Sequence, residues 1–204
     1  MSVDADVTIR PLVDDELSAA VDLVGAMLPE IPLYSWILGE YLGEPAMVDW
    51  LASVFIGPHV ARGRVEGAFD SDGALLGIVA WSAPDGPPPE LPASVVASST
   101  ALLPRRQDIV ERLKMLAEAT AQHQIPGDHV LIVLGVVAPT ARRTGIPAAL
   151  GQAPRAAAQA AGMDLLMTTS DLALGNAHER THGAVFQSSY PVGECTVYQY
   201  LAPA

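Results

Sequence analysis

Cysteine is nearly absent. Cys195 stands alone in 204 residues, so no intramolecular disulfide forms and a disulfide-built secreted scaffold is excluded. Lysine is equally rare: the chain has 11 basic against 23 acidic residues, a formal charge of −12, and only Lys114 is a lysine. With no basic stripe to meet phosphate backbones, nucleic acid is not expected as a partner. Long apolar runs are missing too. The run around His129–Pro139 is about half the roughly twenty residues a membrane helix needs, so no membrane partner is expected. Met1–Asp6 carries neither the cationic nor the apolar region of a secretory leader, and a cytoplasmic location is expected. No fixed-period repeat or flexible linker divides the chain. What is plentiful is hydrophobic side chain, 50% of residues against 17% charged, too much for a disordered chain and enough for one core. A single domain over residues 1–204 is expected. Its acidity suits a neutral or cationic small molecule, or simply a soluble surface.

The order of elements follows from periodicity. Val7–Leu12 is a short β-prone run, and Asp14-Asp15-Glu16 opens a helix carrying Leu17, Ala20, Val21, Val24, Met27 and Leu28 at helical spacing. Pro29 and Pro32 end it, and an aromatic segment with Tyr34, Trp36, Tyr41 and Trp50 predicts a second helix or helix pair. A strand over 63–69, a turn at Ser71-Asp72-Gly73 and a strand over 74–81 predict a hairpin. Residues 84–92 are proline-rich and predict a surface loop. Ile109, Leu113, Leu116, Ala117 and Thr120 mark a helix face, and Val130–Val137 a central strand. A helix over 146–161, a strand over 164–169, a short helix over 176–182 and strands over 184–190 and 196–201 complete an α/β fold. The whole is a mixed β-sheet flanked by helices.

The segment from Val136 to Leu150 carries the chemistry. A buried strand leads into a polar loop with Arg142, Arg143 and Gly145, and then into a helix start. Unpaired N–H groups of a first helical turn, two arginines and a glycine suit a pyrophosphate. The loop lacks the Gly-Lys-Ser/Thr of a nucleotide P-loop and the spaced glycines of a dinucleotide fingerprint. Val137-Ala138-Pro139 followed by Arg142-Arg143-Thr144-Gly145-Ile146-Pro147 resembles the Val-x-Pro and (Arg/Gln)-x-x-Gly-x-(Gly/Ala) signature of the GNAT superfamily of acetyl-CoA-dependent N-acetyltransferases. The element order matches that family over nearly the whole chain. Val79-Ala80-Trp81-Ser82 is similar to the puromycin-type small-molecule acetyltransferases in particular. Pro147 departs from the signature by removing a backbone N–H, and Pro154 is expected to kink or shorten the helix.

The resemblance implies a function and a site. The reaction it implies is transfer of an acetyl group from acetyl-CoA to the amine of a small molecule by direct attack. It implies pantetheine contacts at Gly135, Val136 and Val137, pyrophosphate contacts at Arg142, Arg143, Thr144, Gly145, Ile146 and Ala148, and a further pantetheine contact at Asn176. The family's thiolate-protonating tyrosine is replaced by His178, with spacing to Gly183 longer by one. His178 is therefore one candidate proton-transfer group, and Tyr190 a rival alongside Tyr198 and Tyr200. The acceptor pocket implied between the first helices and the last strands gives Tyr34, Trp36 and Glu40 as substrate-binding candidates, with Tyr41, Trp50 and Glu44 near them. Two alternatives stay open. One is a degenerate acetyltransferase fold that binds or senses without turnover. The other reads His178-Glu179-Arg180-Thr181-His182 as an H-E-x-x-H zinc site with Glu179 as base and Glu194 as the nearby third ligand. Arg180 inside that motif counts against zinc, and no metal is expected. Cys195, without a basic neighbour in sequence, is expected to be a small buried residue rather than a nucleophile. Monomer and homodimer remain equally open.

Overall fold

Turn chemistry and apolar alternation set the first half of the chain. The computed structural model describes residues 7–203; the leader reading of Met1–Asp6 lies outside them. Strand β1 (Thr8–Pro11) is followed by helices α1 (Leu17–Met27), α2 (Pro32–Leu38) and α3 (Pro45–Val60). Pro32 and Pro45 occupy first helical turns, where the missing N–H has no helical partner to lose. Strands β2 (Val65–Phe69) and β3 (Leu75–Ser82) form the expected hairpin. Its turn is held by Asp70 Oδ1, which accepts from the N–H groups of Asp72 and Ala74 at 3.0 and 2.8 Å. Then come α4 (Ala93–Leu102), α5 (Gln107–Gln122), β4 (His129–Val137), α6 (Ile146–Leu150) and α7 (Gln152–Ala161). The chain closes with β5 (Asp164–Thr169), α8 (Leu172–His182), β6 (Val185–Val192) and β7 (Cys195–Ala202).

Three elements differ from the sequence reading, each for a local reason. Helix α4 has no counterpart in it, because its Ser99 and Thr100 hydroxyls bond back to the carbonyls of Val95 and Val96 and weaken intrinsic helicity. Tertiary contact supplies what propensity lacks: Val95 is buried, and Ser99 accepts from the Trp50 indole N–H at 2.8 Å. The helix expected over 146–161 is two helices broken at Gly151, since Pro154 has no N–H to give the carbonyl of Leu150. Their buried positions are Ile146, Leu150, Pro154 and Ala158. Helix α8 begins earlier than expected, at Leu172, where the Asp171 carboxylate caps it by accepting from Ala173 N–H at 2.8 Å.

The strands form one sheet in the order β1-β2-β3-β4-β5-β7-β6, antiparallel at every step except β4–β5. Its two faces bury different helices. Val65, Ile78, Leu134 and Val136 pack with α1, α3 and the wholly buried Ile37 and Leu38 of α2. Each such burial is worth about 1.5–3 kcal/mol. Val130, Leu165, Met167 and Tyr200 pack on the other face with Ala158 of α7, and Ala68 and Val79 with Ile146 and Leu150 of α6.

Val130 and Leu134 lie on opposite faces although an unbroken strand would put them on the same one. A bulge explains it. Ala80 pairs with Leu134 but Trp81 with Ile132, so Val133 is the extra residue and side-chain parity flips there. Parallel pairing with β5 also ends at Ile132, opposite Met167. Beyond that point β4 keeps only β3 as a partner, and the sheet is split open between β4 and β5.

Candidate functional site

The split makes a cleft of about 340 Å3 that reaches through the sheet from one helical layer to the other. Its floor is Ile132–Val137. One mouth is lined by Glu30, Ile31, Leu33 and Tyr34, the other by Pro147, Leu150, Gly151, Arg155, His178 and His182. A side chamber of about 210 Å3 opens between α6/α7 and α8 and shares Gly151, Arg155 and His182 with the cleft. Among the described residues the β4 backbone groups past Ile132 that would face β5 have no strand partner, so an extended, amide-bearing ligand can take that place as an added strand does.

The loop after β4 is shaped by its own hydrogen bonds. Ala138 N–H donates to Leu76 O at 2.8 Å, and Pro139–Ala141 turns tightly. The Thr144 hydroxyl donates to Ala141 O at 2.6 Å and accepts from Ile146 N–H at 3.2 Å. Arg143 holds the left-handed φ of 63°, which few non-glycine residues adopt. Among the described residues nothing accepts from the N–H groups of Arg143, Thr144 and Gly145, which leaves three donors side by side. That is the cradle an anion needs.

The structure places the sequence-derived candidates unevenly. Gly135, Val136 and Val137 line the cleft, and Ala148 lines the side chamber. Arg142, Arg143, Thr144, Gly145 and Ile146 line neither cavity, and the Ile146 side chain is buried against Ala68, Val79 and Leu150. Arg142 is already partnered, with Nη2 2.7 Å from Glu30 Oε2 and 3.3 Å from Met27 Sδ. Asn176 is exposed in mid-helix and lines neither cavity, because Asp171 opens α8 instead. Of the acceptor-side candidates, Tyr34 lines the cleft, packs on Phe55 with ring centroids 4.7 Å apart, and has its phenol pushed up by burial. Trp36 packs on Gly193 in the β6–β7 turn, and Glu40 lies exposed next to Tyr41; neither lines the cleft.

The proton-transfer candidates separate cleanly. Tyr190 is buried on the opposite side of the sheet end, stacked on His123 at 4.6 Å with its hydroxyl 3.4 Å from Thr120 Oγ1, and takes no part in the cleft. Alternation along β6 settles this, since its inward face meets α5 there. His178 does face the cleft, one helical turn before His182, the two rings 5.7 Å apart. Burial, and then the charge of His182, hold His178 down to about 4, so it is neutral at pH 7. His182 is lowered by burial and then by Arg155. The H-E-x-x-H pair gains no third ligand: among the described residues no three of His, Cys, Asp and Glu come together as a metal would need. Cys195 donates to Pro32 O at 3.4 Å, and burial followed by Glu194 pushes its thiol up, the opposite of an activated nucleophile.

Sequence reasoning missed Glu30, Arg155, Ser170 and Asp171, which all line the cleft. Ser170 accepts from Leu33 N–H at 3.0 Å and ties the α1–α2 turn to the end of β5. None of the four sits in a motif. Only Asp171, as a capping residue before an apolar run, left a signal that could have been read.

No family model matches the sequence, and no curated protein matches it. Solved structures do. The polyamine N-acetyltransferase of Drosophila melanogaster, which forms N-acetylagmatine, shares 16% identity over 98% of this chain and 100% of its own, with a TM-score of 0.62. A protein of Corynebacterium glutamicum described as histone acetyltransferase HPA2 and related acetyltransferase shares 16% over 98% and 97%, at a TM-score of 0.57. A chain of the NatC complex bound to Gag peptide and CoA shares 13% over 98% and 99%, at a TM-score of 0.54. The chain therefore has the GNAT acetyltransferase fold, as the resemblance at residues 137–147 implied.

Proposed function

We propose that this protein transfers the acetyl group of acetyl-CoA to the amine of a small molecule. The observation that carries the reading is the coincidence of the split at Ile132↔Met167 with three unpaired N–H groups on the adjoining Arg143–Gly145 loop. That pairing of a strand-shaped slot with an anion cradle suits pantetheine and pyrophosphate together. Neighbours of this fold act on amines, agmatine among them, and one is seen with CoA. Bound acetyl-CoA supplies an activated acetyl thioester; the protein's own groups do the rest. The open backbone edge at Val133–Val137 orients the pantetheine amides and offers an N–H to the thioester oxygen, where negative charge develops as the amine attacks. The apolar mouth at Ile31, Leu33 and Tyr34 admits the amine and excludes water. As the C–N bond forms and the C–S bond breaks, the amine nitrogen must lose a proton and the sulfur gain one. His178, neutral at pH 7, takes a proton on one ring nitrogen and releases one from the other.

A second reading, a binding module without turnover, rests on Pro147, which lines the cleft but has no N–H to offer. One pair of measurements decides between them. Acetyl-CoA at millimolar concentration is expected to raise Tm, by about 2.7 kcal/mol of added stability at a hundredfold excess over Kd. Release of free CoA thiol is then expected on addition of one or more members of a panel of small amines. Absence of any thermal shift overturns the acetyl-CoA reading; a shift with no thiol release on any amine supports the binding module.

A further inference from the structure

The two sides of the cleft differ in chemistry. On the side of α1 and α2 its walls are Ile31, Leu33, Tyr34, Leu134, Val136 and Val197, apolar or aromatic throughout. Met167 packs with the α7 layer, so Thr168, the next residue on β5 and also on the cleft wall, faces the α2 side. Glu30 is the charged group at this mouth, and its carboxylate is engaged: Oε2 lies 2.7 Å from Arg142 Nη2. Asp171, the other carboxylate on the cleft lining, gives Oδ1 to the Ala173 N–H at 2.8 Å as the cap of α8, which packs on Tyr200 in the opposite layer. Among the described residues, then, an amine entering past α2 meets apolar walls and no unpaired carboxylate. A second ammonium on that amine would leave water for a wall without a counter-charge, which is costly. The reacting nitrogen gains from the same surround, because burial favours the neutral amine over the ammonium, and only the neutral amine has the lone pair that attacks. An apolar body covering these walls adds affinity with each methylene buried.

We propose that this side of the cleft selects an amine with an apolar body and no second charge. The Glu30–Arg142 pair sets the selection by withholding the carboxylate that a diamine would use. Arg142 thus serves the acceptor side, although its loop carries the anion cradle. That the selected amine is acetylated rests on the proposed function; the selection itself belongs to the walls.

The test titrates three amines of matched chain length into the full chain by calorimetry, with CoA present at millimolar concentration. Hexylamine has an apolar body, cadaverine ends in a second ammonium, and diglycolamine carries ether and hydroxyl oxygens instead. Hexylamine is expected to bind about tenfold or more tightly than either of the others. Arg142→Gln, which leaves Glu30 without its counter-ion, is expected to narrow the gap between hexylamine and cadaverine by about fivefold and to leave that between hexylamine and diglycolamine unchanged. Thr168→Asp, at an exposed position, puts a carboxylate on the same wall without touching the loop and is expected to act in the same way. Cadaverine or diglycolamine binding the wild type as tightly as hexylamine, or no binding of any of the three, overturns the proposal. A gap unchanged in Arg142→Gln overturns the role of the pair, and one unchanged in Thr168→Asp as well overturns the whole. Release of CoA thiol from acetyl-CoA on the same amines separates this from the proposed function. Preferential hexylamine binding without thiol release keeps the selective site and removes acetyl transfer; equal thiol release on all three keeps acetyl transfer and overturns the selection.

Discussion

At the scale of single residues, the site is governed by what each side chain already touches. Arg142 matches the motif position, yet Glu30 takes its charge; Arg155 matches no motif, yet among the described residues it has no ion-pair partner. His178 replaces the expected tyrosine with a group whose ionisation is set by burial. That burial has a consequence for stability. The folded chain keeps His178 neutral down to about pH 4, whereas an unfolded imidazole takes up a proton near 6.5. The unfolded state therefore binds more protons in this window, so the contribution is complete above pH 6.5 and is lost as pH falls toward 4. Urea unfolding of the wild type and of His178→Gln at pH 7.5 and pH 4.5 checks this. The wild type is expected to lose more stability between the two than the variant does; equal losses would refute a buried neutral His178. His178 was legible as a candidate from sequence, but its protonation state was not, because that depends on the packing of α8 on β7. Gly175 permits that packing, since a Cβ there would fall on the Tyr200 hydroxyl.

At the scale of elements, proline decides more than hydrophobicity. Pro154 breaks what periodicity reads as one helix, and the break at Gly151 is where the cleft and side chamber join. Pro147 is accepted in the first turn of α6 but withholds an N–H from the cleft wall. Pro147→Ala is expected to lower the Kd for acetyl-CoA about fivefold, as one added backbone hydrogen bond of roughly 1 kcal/mol would. Calorimetric titration reads it, and an unchanged or higher Kd would mean that no ligand oxygen reaches that position. Strand β5 and the β2–β3 hairpin were legible because their short apolar runs and turn residues act locally. Helix α4 was not, because its stability comes from Val95 and the Ser99 bond to Trp50 rather than from its own serine-rich sequence.

At the scale of the whole molecule, charge and cleft pull in opposite directions. On the proposed function, a net charge of −12 repels the anionic acetyl donor at long range, while the unpaired N–H groups of the Arg143–Gly145 loop would attract it at contact. Repulsion acts over tens of ångströms at low salt and is screened within about 10 Å at 0.1 M, whereas contacts inside the cleft are little screened. The association rate for acetyl-CoA is therefore expected to rise between about 10 mM and 100 mM salt. Stopped-flow tryptophan fluorescence measures it. A rate that falls with salt would show that the local cations dominate even at a distance.

The sequence by itself determined the α/β class, most of the element order and the strand–loop–helix at 137–147, because these follow from periodicity, prolines and turn residues close together in the chain. Only the tertiary structure decided which residues meet. The bulge at Val133 reverses side-chain parity along β4, and the end of pairing at Ile132↔Met167 opens the cleft. Glu30 claims Arg142 from the far side of the sheet. Burial removes Tyr190 and Ile146 from the site and retunes His178. Each of these outcomes depends on strand pairing and desolvation between segments distant in sequence, and no local pattern encodes them.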